Sequence, residues 1–284
     1  MTDTNVVNLS RRRVLVGSGL AATALTLGAT MNPTEASADT AATEGHRPKP
    51  TVVLVHGAFA DASGWKGVIG ELTRAGHDVL APANPLRSLA GDAAYIASVV
   101  NAVPGPVILV GHSYGGAVIT NAARSTPNVK ALVYVAAFGL AKDESLAGIS
   151  ASYPETPLAK AVRPQPYPLA DGTAGTDLYI DRASFKSVFA QDVPSKDNAI
   201  YAATQRPLSA AAFTEASGEP AWKTLPSFYQ VSRNDRCIHP DAQRFFAKRM
   251  GAKKTIELDS SHASLVSHPD EIADLIRLAA RTTA

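Results

Sequence analysis

Short apolar runs and amphipathic stretches alternate through the first half of the chain. The runs at residues 51–55, 107–110 and 130–137 are apolar and end at small residues or a His-Gly or Gly-His pair. Such runs are typical of strands that are buried on both faces of a parallel sheet. The stretches at residues 65–75 and 91–103 have the apolar spacing of helices. This alternation predicts an α/β fold with a mostly parallel central sheet and helices on both of its faces.

The alternation stops after the third of these runs and returns with strands at residues 227–231 and 254–258. Between them, residues 139–224 hold eight prolines and short helical pieces, with no buried strand evident. The same segment holds 8 of the 18 aromatic residues of the chain. We therefore predict one domain over residues 51–284, with residues 139–224 inserted as a small helical lid that lines an aromatic pocket.

The N-terminal residues are predicted to be an export signal. Arginines at positions 11–13 precede a weakly apolar stretch at residues 14–29, and Ala36-Ser37-Ala38 supplies the small residues of a cleavage site. This order resembles a twin-arginine signal over residues 1–38, followed by a polar linker at residues 39–50. It indicates a secreted or periplasmic protein. The alternative is a basic tail on a cytosolic protein.

Composition excludes several classes of function. The formal net charge of +2 is too small to indicate the strongly basic surface that is typical of nucleic-acid-binding proteins. A single cysteine excludes an intrachain disulfide and a cysteine-based metal cluster, and the seven histidines lack metal-ligand spacing. No apolar run reaches the ~18 residues that a membrane anchor requires. We therefore predict no cofactor, no metal and no membrane anchor, and the sequence sets no expectation for the oligomeric state.

The strongest candidate for chemistry is the pentapeptide Gly111-His112-Ser113-Tyr114-Gly115. It follows a buried strand and precedes a helical stretch, which is the context of a nucleophile elbow. The small residues on each side of the serine allow the strand and the helix to approach closely. A hydroxyl at the start of a helix also lies near backbone N–H groups that stabilise negative charge. Ser113 is therefore the predicted nucleophile.

A serine nucleophile needs a base and an acid that orients this base. The carboxyl ends of parallel strands meet at one edge of a sheet. The chain order Ser113, Asp235, His262 places each residue after a strand, namely the fifth, seventh and eighth in the usual count of such folds. His56 and His112 lie beside glycines and are expected to pack or to bond the backbone. Asp143, which follows the sixth strand, is the rival for the acid.

Acyl transfer also needs donors for the oxyanion. One predicted donor is the backbone N–H of Tyr114, the residue after the nucleophile. The other should come from the His-Gly loop after the first strand. We predict Ala58 for this position, with Phe59 as the second choice.

These motifs resemble the α/β-hydrolase superfamily. The resemblance is carried by His-Gly-Ala at residues 56–58, Gly-His-Ser-Tyr-Gly-Gly at 111–116, Arg-Asn-Asp-Arg at 233–236 and Ser-His-Ala at 261–263. They are most similar to the branch of plant methylesterases, hydroxynitrile lyases and related bacterial serine esterases. The resemblance implies the same triad and the same oxyanion donors. The lyases carry a lysine after the catalytic histidine, where this chain has Ala263.

The sequence thus predicts an exported serine esterase that cleaves a small apolar or aromatic carboxylic ester through an acyl-enzyme. One alternative is a ligand-binding or sensor protein on a hydrolase scaffold. Another is a lyase or cofactor-free peroxidase variant, which the absence of the lysine disfavours.

Overall fold

The computed structural model describes residues 49–283 of the chain. The predicted export signal and all but the last two residues of the predicted linker lie outside the described residues, so both stay predictions. Within residues 49–283, no helix has the length and the apolar character needed to cross a membrane.

The strands of the described residues form two sheets. The strands are β1 Thr51–Val55, β2 Val79–Leu80, β3 Val107–His112, β4 Val129–Val135, β5 Val162–Pro168, β6 Ala174–Ile180, β7 Leu208–Ser209, β8 Ser227–Ser232 and β9 Lys254–Leu258. The larger sheet has the order β2-β1-β3-β4-β8-β9, and every neighbouring pair in it is parallel. The predicted α/β fold is therefore confirmed. The six strands of this sheet include those that precede Ser113, Asp235 and His262.

Helices cover both faces of the larger sheet. The α-helices are α1 Lys66–Arg74, α2 Leu89–Asn101, α3 Tyr114–Ala122, α4 Leu146–Ala151, α5 Pro157–Ala161, α6 Phe185–Phe189, α7 Ser195–Thr204, α8 Ala210–Thr214, α9 Pro240–Arg249, α10 Ser264–Ser267 and α11 Pro269–Thr283. Short 3-10 helices lie at Ala62–Trp65, Ala123–Ser125 and Ala221–Lys223.

Alternate residues of the central strands belong to different cores. In β1, Val53 and Val55 pack in the core that includes buried residues of α2, α3 and α9, whereas Val52 and Leu54 pack in the core that includes those of α1 and α11. This separation follows from the two-residue period of a strand, which sends successive side chains to opposite faces. A strand between two apolar cores needs apolar residues at every position, which explains the continuous apolar runs in the sequence.

Between β4 and β8 the chain leaves the larger sheet and builds the predicted insertion. Besides short helices, this segment contains an antiparallel sheet of order β5-β6-β7, which the sequence analysis did not predict. Strand β5 is mostly exposed and carries Pro164, Pro166 and Pro168 at alternate positions. Proline is tolerated there because β5 is an edge strand. Alternate residues of β5 face the open edge, where no neighbouring strand needs the N–H group that proline lacks. The action of the insertion as a lid stays a prediction.

Candidate active site

Ser113 lies on the tight turn between β3 and α3. Its φ of 56° is in the left-handed region, which is unfavourable for a residue with a side chain. A Cβ atom at Gly111 would lie 2.5 Å from the carbonyl oxygen of Gly115, and one at Gly115 would overlap the carbonyl oxygen of Val55. The turn therefore requires glycine at both positions, and it presents the Ser113 side chain at the carboxyl end of β3.

His262 and Asp235 meet at the same edge of the sheet. His262 follows β9, Asp235 follows β8, and the His262 Nδ1 donates to Asp235 Oδ2 over 2.7 Å. Both side chains are buried, with 1% and 0% of their surface exposed. The other oxygen of Asp235, Oδ1, accepts from the backbone N–H groups of Cys237 at 2.7 Å and Ile238 at 3.0 Å. The carboxylate therefore has a fixed orientation, with one oxygen directed at the imidazole.

Asp143, the rival for the acid, lies elsewhere. Its side chain is exposed, and its backbone N–H donates to the carbonyl oxygen of Ser217 over 2.8 Å. Its φ of 65° marks a tight turn after β4. Of the two candidate acids, only Asp235 bonds His262 in the structure.

The two other histidines near the site bond the backbone. His56 Nε2 accepts from the N–H of Asn84 over 2.9 Å, and burial lowers the pKa of His56 to about 4. His112 Nε2 donates to the carbonyl oxygen of His262 over 2.9 Å, and burial together with the neighbouring His262 lowers the pKa of His112 well below its usual value. Both rings are therefore neutral at pH 7, and His112 supports the loop that carries His262.

The candidate oxyanion donors differ in whether their backbone N–H groups are already hydrogen-bonded within the protein. The N–H of Phe59 donates to the carbonyl oxygen of Arg206 over 2.9 Å, so the second choice for the donor is occupied. Within the described part of the chain, the N–H groups of Ala58 and Tyr114 donate to no protein acceptor. Ala58 and Tyr114 line one cavity of about 400 Å³ together with Ser113 and His262. Both predicted donors are thus available beside the serine.

Gln243 is a buried residue of the site that the sequence analysis missed. This side chain of α9 is fully buried, and its Nε2 donates to Asp235 Oδ2 over 2.7 Å and to the carbonyl oxygen of Ile238 over 3.1 Å. Its Oε1 accepts from the N–H of Ser232 over 2.9 Å. Gln243 therefore links the end of β8 to the carboxylate of Asp235. In the sequence, the feature that could have identified Gln243 is a polar residue on the face of an amphipathic helix that is otherwise buried.

Tyr114 is held by a second buried pair. Its hydroxyl donates to Asp92 Oδ2 over 2.7 Å, and burial raises the pKa of both groups. The same carboxylate accepts from the backbone N–H of Arg87. The Asp92 bond holds the phenol of Tyr114, the residue whose N–H is the predicted oxyanion donor.

The insertion is bonded to both loops that carry Asp235 and His262. Gln191 Nε2 donates to the carbonyl oxygen of Asn234 over 2.6 Å. Asp192 Oδ2 accepts from the N–H of Ser261 at 2.8 Å and from the hydroxyl of Ser267 at 2.9 Å. The Gln191–Asp192 pair therefore contacts the residues directly before Asp235 and His262.

One group of described residues has potential metal ligands close together. Single ligand atoms of Asp235, Cys237 and His262 lie within 4.8 Å of one another. However, Asp235 and His262 bond each other, and the Cys237 thiol contacts the carbonyl oxygen of Val188. Burial also raises the pKa of Cys237 well above its usual value, which disfavours the thiolate that a metal binds. Asp235 and His262 therefore fit a hydrogen-bonded pair, with Cys237 bonded elsewhere, better than a metal site.

Comparison with known proteins identifies the family. The model of the alpha/beta hydrolase family matches residues 52–275, which is most of the chain and includes all the site residues described above. The chain belongs to the alpha/beta hydrolase family. The predicted family is therefore confirmed.

This α/β hydrolase has curated relatives at moderate identity. It is 26% identical over 255 residues to the alpha/beta hydrolase nvfD of Aspergillus novofumigatus, covering 82% of this chain and 97% of that protein. It is 38% identical over 99 residues to a carbendazim hydrolyzing esterase of Nocardioides sp., covering 30% of this chain and 41% of the esterase.

Among solved structures, the α/β hydrolase is similar to polyneuridine aldehyde esterase. The TM-score is 0.71 at 20% sequence identity, covering 81% of this chain and 98% of that chain. At this identity the likeness shows the shared fold, in agreement with the strand order described above.

Proposed function

We propose that this α/β hydrolase is a serine esterase that cleaves carboxylic esters through an acyl-enzyme. The observation that carries the proposal is the buried 2.7 Å bond between His262 Nδ1 and Asp235 Oδ2 in a pair whose imidazole lines the same cavity as Ser113. Two similar proteins, a carbendazim hydrolyzing esterase and polyneuridine aldehyde esterase, are esterases by name, which supports the same reaction class.

In the proposed acylation, His262 Nε2 takes the proton of Ser113 while Oγ attacks the ester carbonyl carbon. The carbonyl π electrons move to oxygen, and the backbone N–H groups of Ala58 and Tyr114 stabilise the oxyanion. The carboxylate of Asp235 stabilises the imidazolium that has formed and keeps the neutral ring in the tautomer with Nδ1 protonated. When the carbonyl re-forms, the C–O bond to the alcohol breaks, and His262 donates the proton to the departing oxygen.

Deacylation repeats these steps with water. His262 removes a proton from the water as its oxygen attacks the acyl carbon. The second tetrahedral intermediate collapses, the bond to Ser113 Oγ breaks, and the serine recovers its proton from His262. The carboxylic acid then leaves, and the enzyme returns to its initial state.

The cavity indicates the kind of ester. Its volume of about 400 Å³ lies in the range that accommodates a small organic ligand. Among the described residues, its lining is mainly apolar and includes the His262 imidazole but no Asp, Glu, Lys or Arg side chain. A charged group would be costly to bury there without a partner. We therefore propose a neutral, apolar ester, including esters with an aromatic group.

An alkyl fluorophosphonate tests this proposal directly. We expect purified protein to hydrolyse p-nitrophenyl acetate and to gain one covalent adduct on Ser113, with fluoride released and an Oγ–P bond formed. Peptide mass spectrometry locates the adduct. Heat-unfolded protein is the control and should remain unlabelled, because an ordinary serine hydroxyl is a weak nucleophile. Stoichiometric ester binding without turnover or labelling would contradict the esterase proposal and favour a binding protein.

We also propose export by the twin-arginine route, on the basis of the arginines at positions 11–13 and the small residues before position 39. In a bacterial host with this route, we expect a mature protein that begins at Asp39 and lies outside the cytoplasm. Replacing Arg11 and Arg12 by lysine should retain the full-length chain inside the cell. Cell fractionation and the intact mass measure both results, and unchanged export of the double variant would contradict the proposal.

A further inference from the structure

A second cavity adjoins the one that contains Ser113. Its volume is about 420 Å³, against about 400 Å³ for the first. Seven residues line both cavities and form the boundary between them. They are Phe138, Ser150, Thr156, Ala159, Phe213, Cys237 and Ile238. Because these residues line both cavities, the two spaces lie next to each other in the same part of the site.

The chemistry of the second cavity differs from that of the first. The first is lined mainly by apolar groups around the reactive residues, whereas the second is lined in part by Tyr153, His239 and Glu155. The rings of Tyr153 and His239 are stacked, with centroids 5.7 Å apart and planes 21° from parallel. The Glu155 carboxylate is 62% exposed and lies 4.0 Å from Lys160 Nζ, so it belongs to the solvent side of the cavity.

The stacked pair also has hydrogen-bonding groups available. His239 Nδ1 accepts from the backbone N–H of Asp241 over 3.2 Å, so the neutral ring carries its proton on Nε2. Among the contacts of residues 49–283, neither His239 Nε2 nor the Tyr153 hydroxyl bonds a protein group. The pair therefore offers an aromatic surface together with a donor N–H and a phenol.

We propose that the substrate is an ester with two arms, one of which occupies the second cavity. This inference rests on the proposed esterase function and specifies its substrate class. The ester carbonyl lies at Ser113, and one apolar arm fills the first cavity. The other arm ends in an aromatic ring that packs against Tyr153 and His239. A hydrogen-bond acceptor on this ring, such as an ether oxygen, accepts from His239 Nε2.

Three substitutions separate this binding role from a general effect on the fold. Tyr153→Ala removes one ring of the stacked pair. Ala151→Trp fills the second cavity from an exposed position at the end of α4. Ala199→Trp is the matched control, because Ala199 is exposed in helix α7 of the same insertion and lines neither cavity.

The substrates are p-nitrophenyl acetate and two long esters, p-nitrophenyl 4-(4-methoxyphenyl)butanoate and 4-(4-methoxyphenyl)butyl acetate. They carry the aromatic arm on the acyl side and on the alcohol side, respectively. We expect Tyr153→Ala and Ala151→Trp to lower kcat/KM about tenfold for at least one long ester through KM, because both changes remove the aromatic contact of the long arm and a tenfold loss corresponds to about 1.4 kcal/mol. Hydrolysis of p-nitrophenyl acetate should stay within about twofold. Equal losses on all three esters, or no loss on any, would overturn the two-arm substrate.

A binding measurement distinguishes this outcome from a failure of the esterase proposal. In protein carrying Ser113→Ala, the Kd of each intact long ester is measured by calorimetry. We expect Ala151→Trp to weaken binding of at least one ester about tenfold and Ala199→Trp to leave it unchanged. If no ester is hydrolysed by the wild-type protein, the esterase proposal fails, but this difference in Kd still tests the second cavity. Equal Kd values in the two tryptophan variants would overturn the inference.

Discussion

Replacing Ser113 by alanine is expected to lower kcat for p-nitrophenyl acetate at least ~10⁴-fold, which corresponds to a barrier increase of roughly 5 kcal/mol. The substitution removes the hydroxyl that forms the acyl-enzyme, whereas the Ala58 and Tyr114 N–H groups remain. The residual rate should therefore come from the oxyanion donors and from substrate binding alone. Steady-state kinetics measures kcat, and circular dichroism checks that the variant is folded.

Ser150 provides the matched control for this experiment. It lines the same cavity but lies on α4 of the insertion. Ser150→Ala should change kcat by less than about threefold, because this hydroxyl has no assigned part in the reaction. A Ser113→Ala variant that retains more than one tenth of the wild-type kcat would rule out Ser113 as the nucleophile.

Asp235→Asn is expected to lower kcat by about 10³- to 10⁴-fold, because the substitution inverts the tautomer of His262. The backbone N–H groups of Cys237 and Ile238 donate to Oδ1 of Asp235. In the variant these two donors outweigh the single Gln243 Nε2 donor at the Oδ2 position, so the asparagine oxygen takes the Oδ1 position and the amide NH₂ faces His262. His262 Nδ1 must accept from this NH₂, so Nε2 carries the proton and cannot deprotonate Ser113.

Asp143→Asn is the control for the competing assignment of the acid. Asp143 is exposed, and its φ of 65° suits asparagine as well as aspartate. We expect kcat within about twofold of wild type, since surface substitutions away from special contacts have small effects. The kinetics of both variants are measured with the same ester. A large loss in Asp143→Asn together with near wild-type activity in Asp235→Asn would reverse the assignment.

The sequence alone was sufficient to predict those parts of the site whose residues are adjacent in the chain. The turn at Ser113 depends on a buried strand, two glycines and a following helix, and all of them are adjacent in the chain. The sequence also predicted the order of strands and helices in the core, because continuous apolar runs identify strands that are covered on both faces. The alpha/beta hydrolase family could therefore be inferred before the structure was known.

The choice between Asp235 and Asp143 could not be made from local pattern. Each aspartate follows a strand of the same sheet, and only the three-dimensional path of the loops decides which carboxylate reaches His262. Gln243 was missed for a related reason. Its contact with Asp235 depends on the packing of α9 against the end of β8, which no sequence spacing specifies.

The antiparallel sheet of the insertion was missed because its strands lack the usual apolar signal. Strand β5 is mostly exposed and contains three prolines, which ordinarily disfavour a strand. Strand β2 is short and covers only Val79–Leu80. It lies at the edge of the larger sheet and pairs with β1 through two residues, and Leu80 remains 42% exposed.

The bonds of the Gln191–Asp192 pair limit how freely the substrate range of this enzyme can be re-engineered. Gln191 bonds the residue before Asp235, and Asp192 bonds the residue before His262. The segment that shapes the substrate cavities is therefore not a separable module. A chimera that receives the insertion of another family member would also lose supports of its acid and base loops, unless the incoming segment supplies equivalent side chains. New specificity is more safely sought by changing single cavity residues than by exchanging the whole insertion.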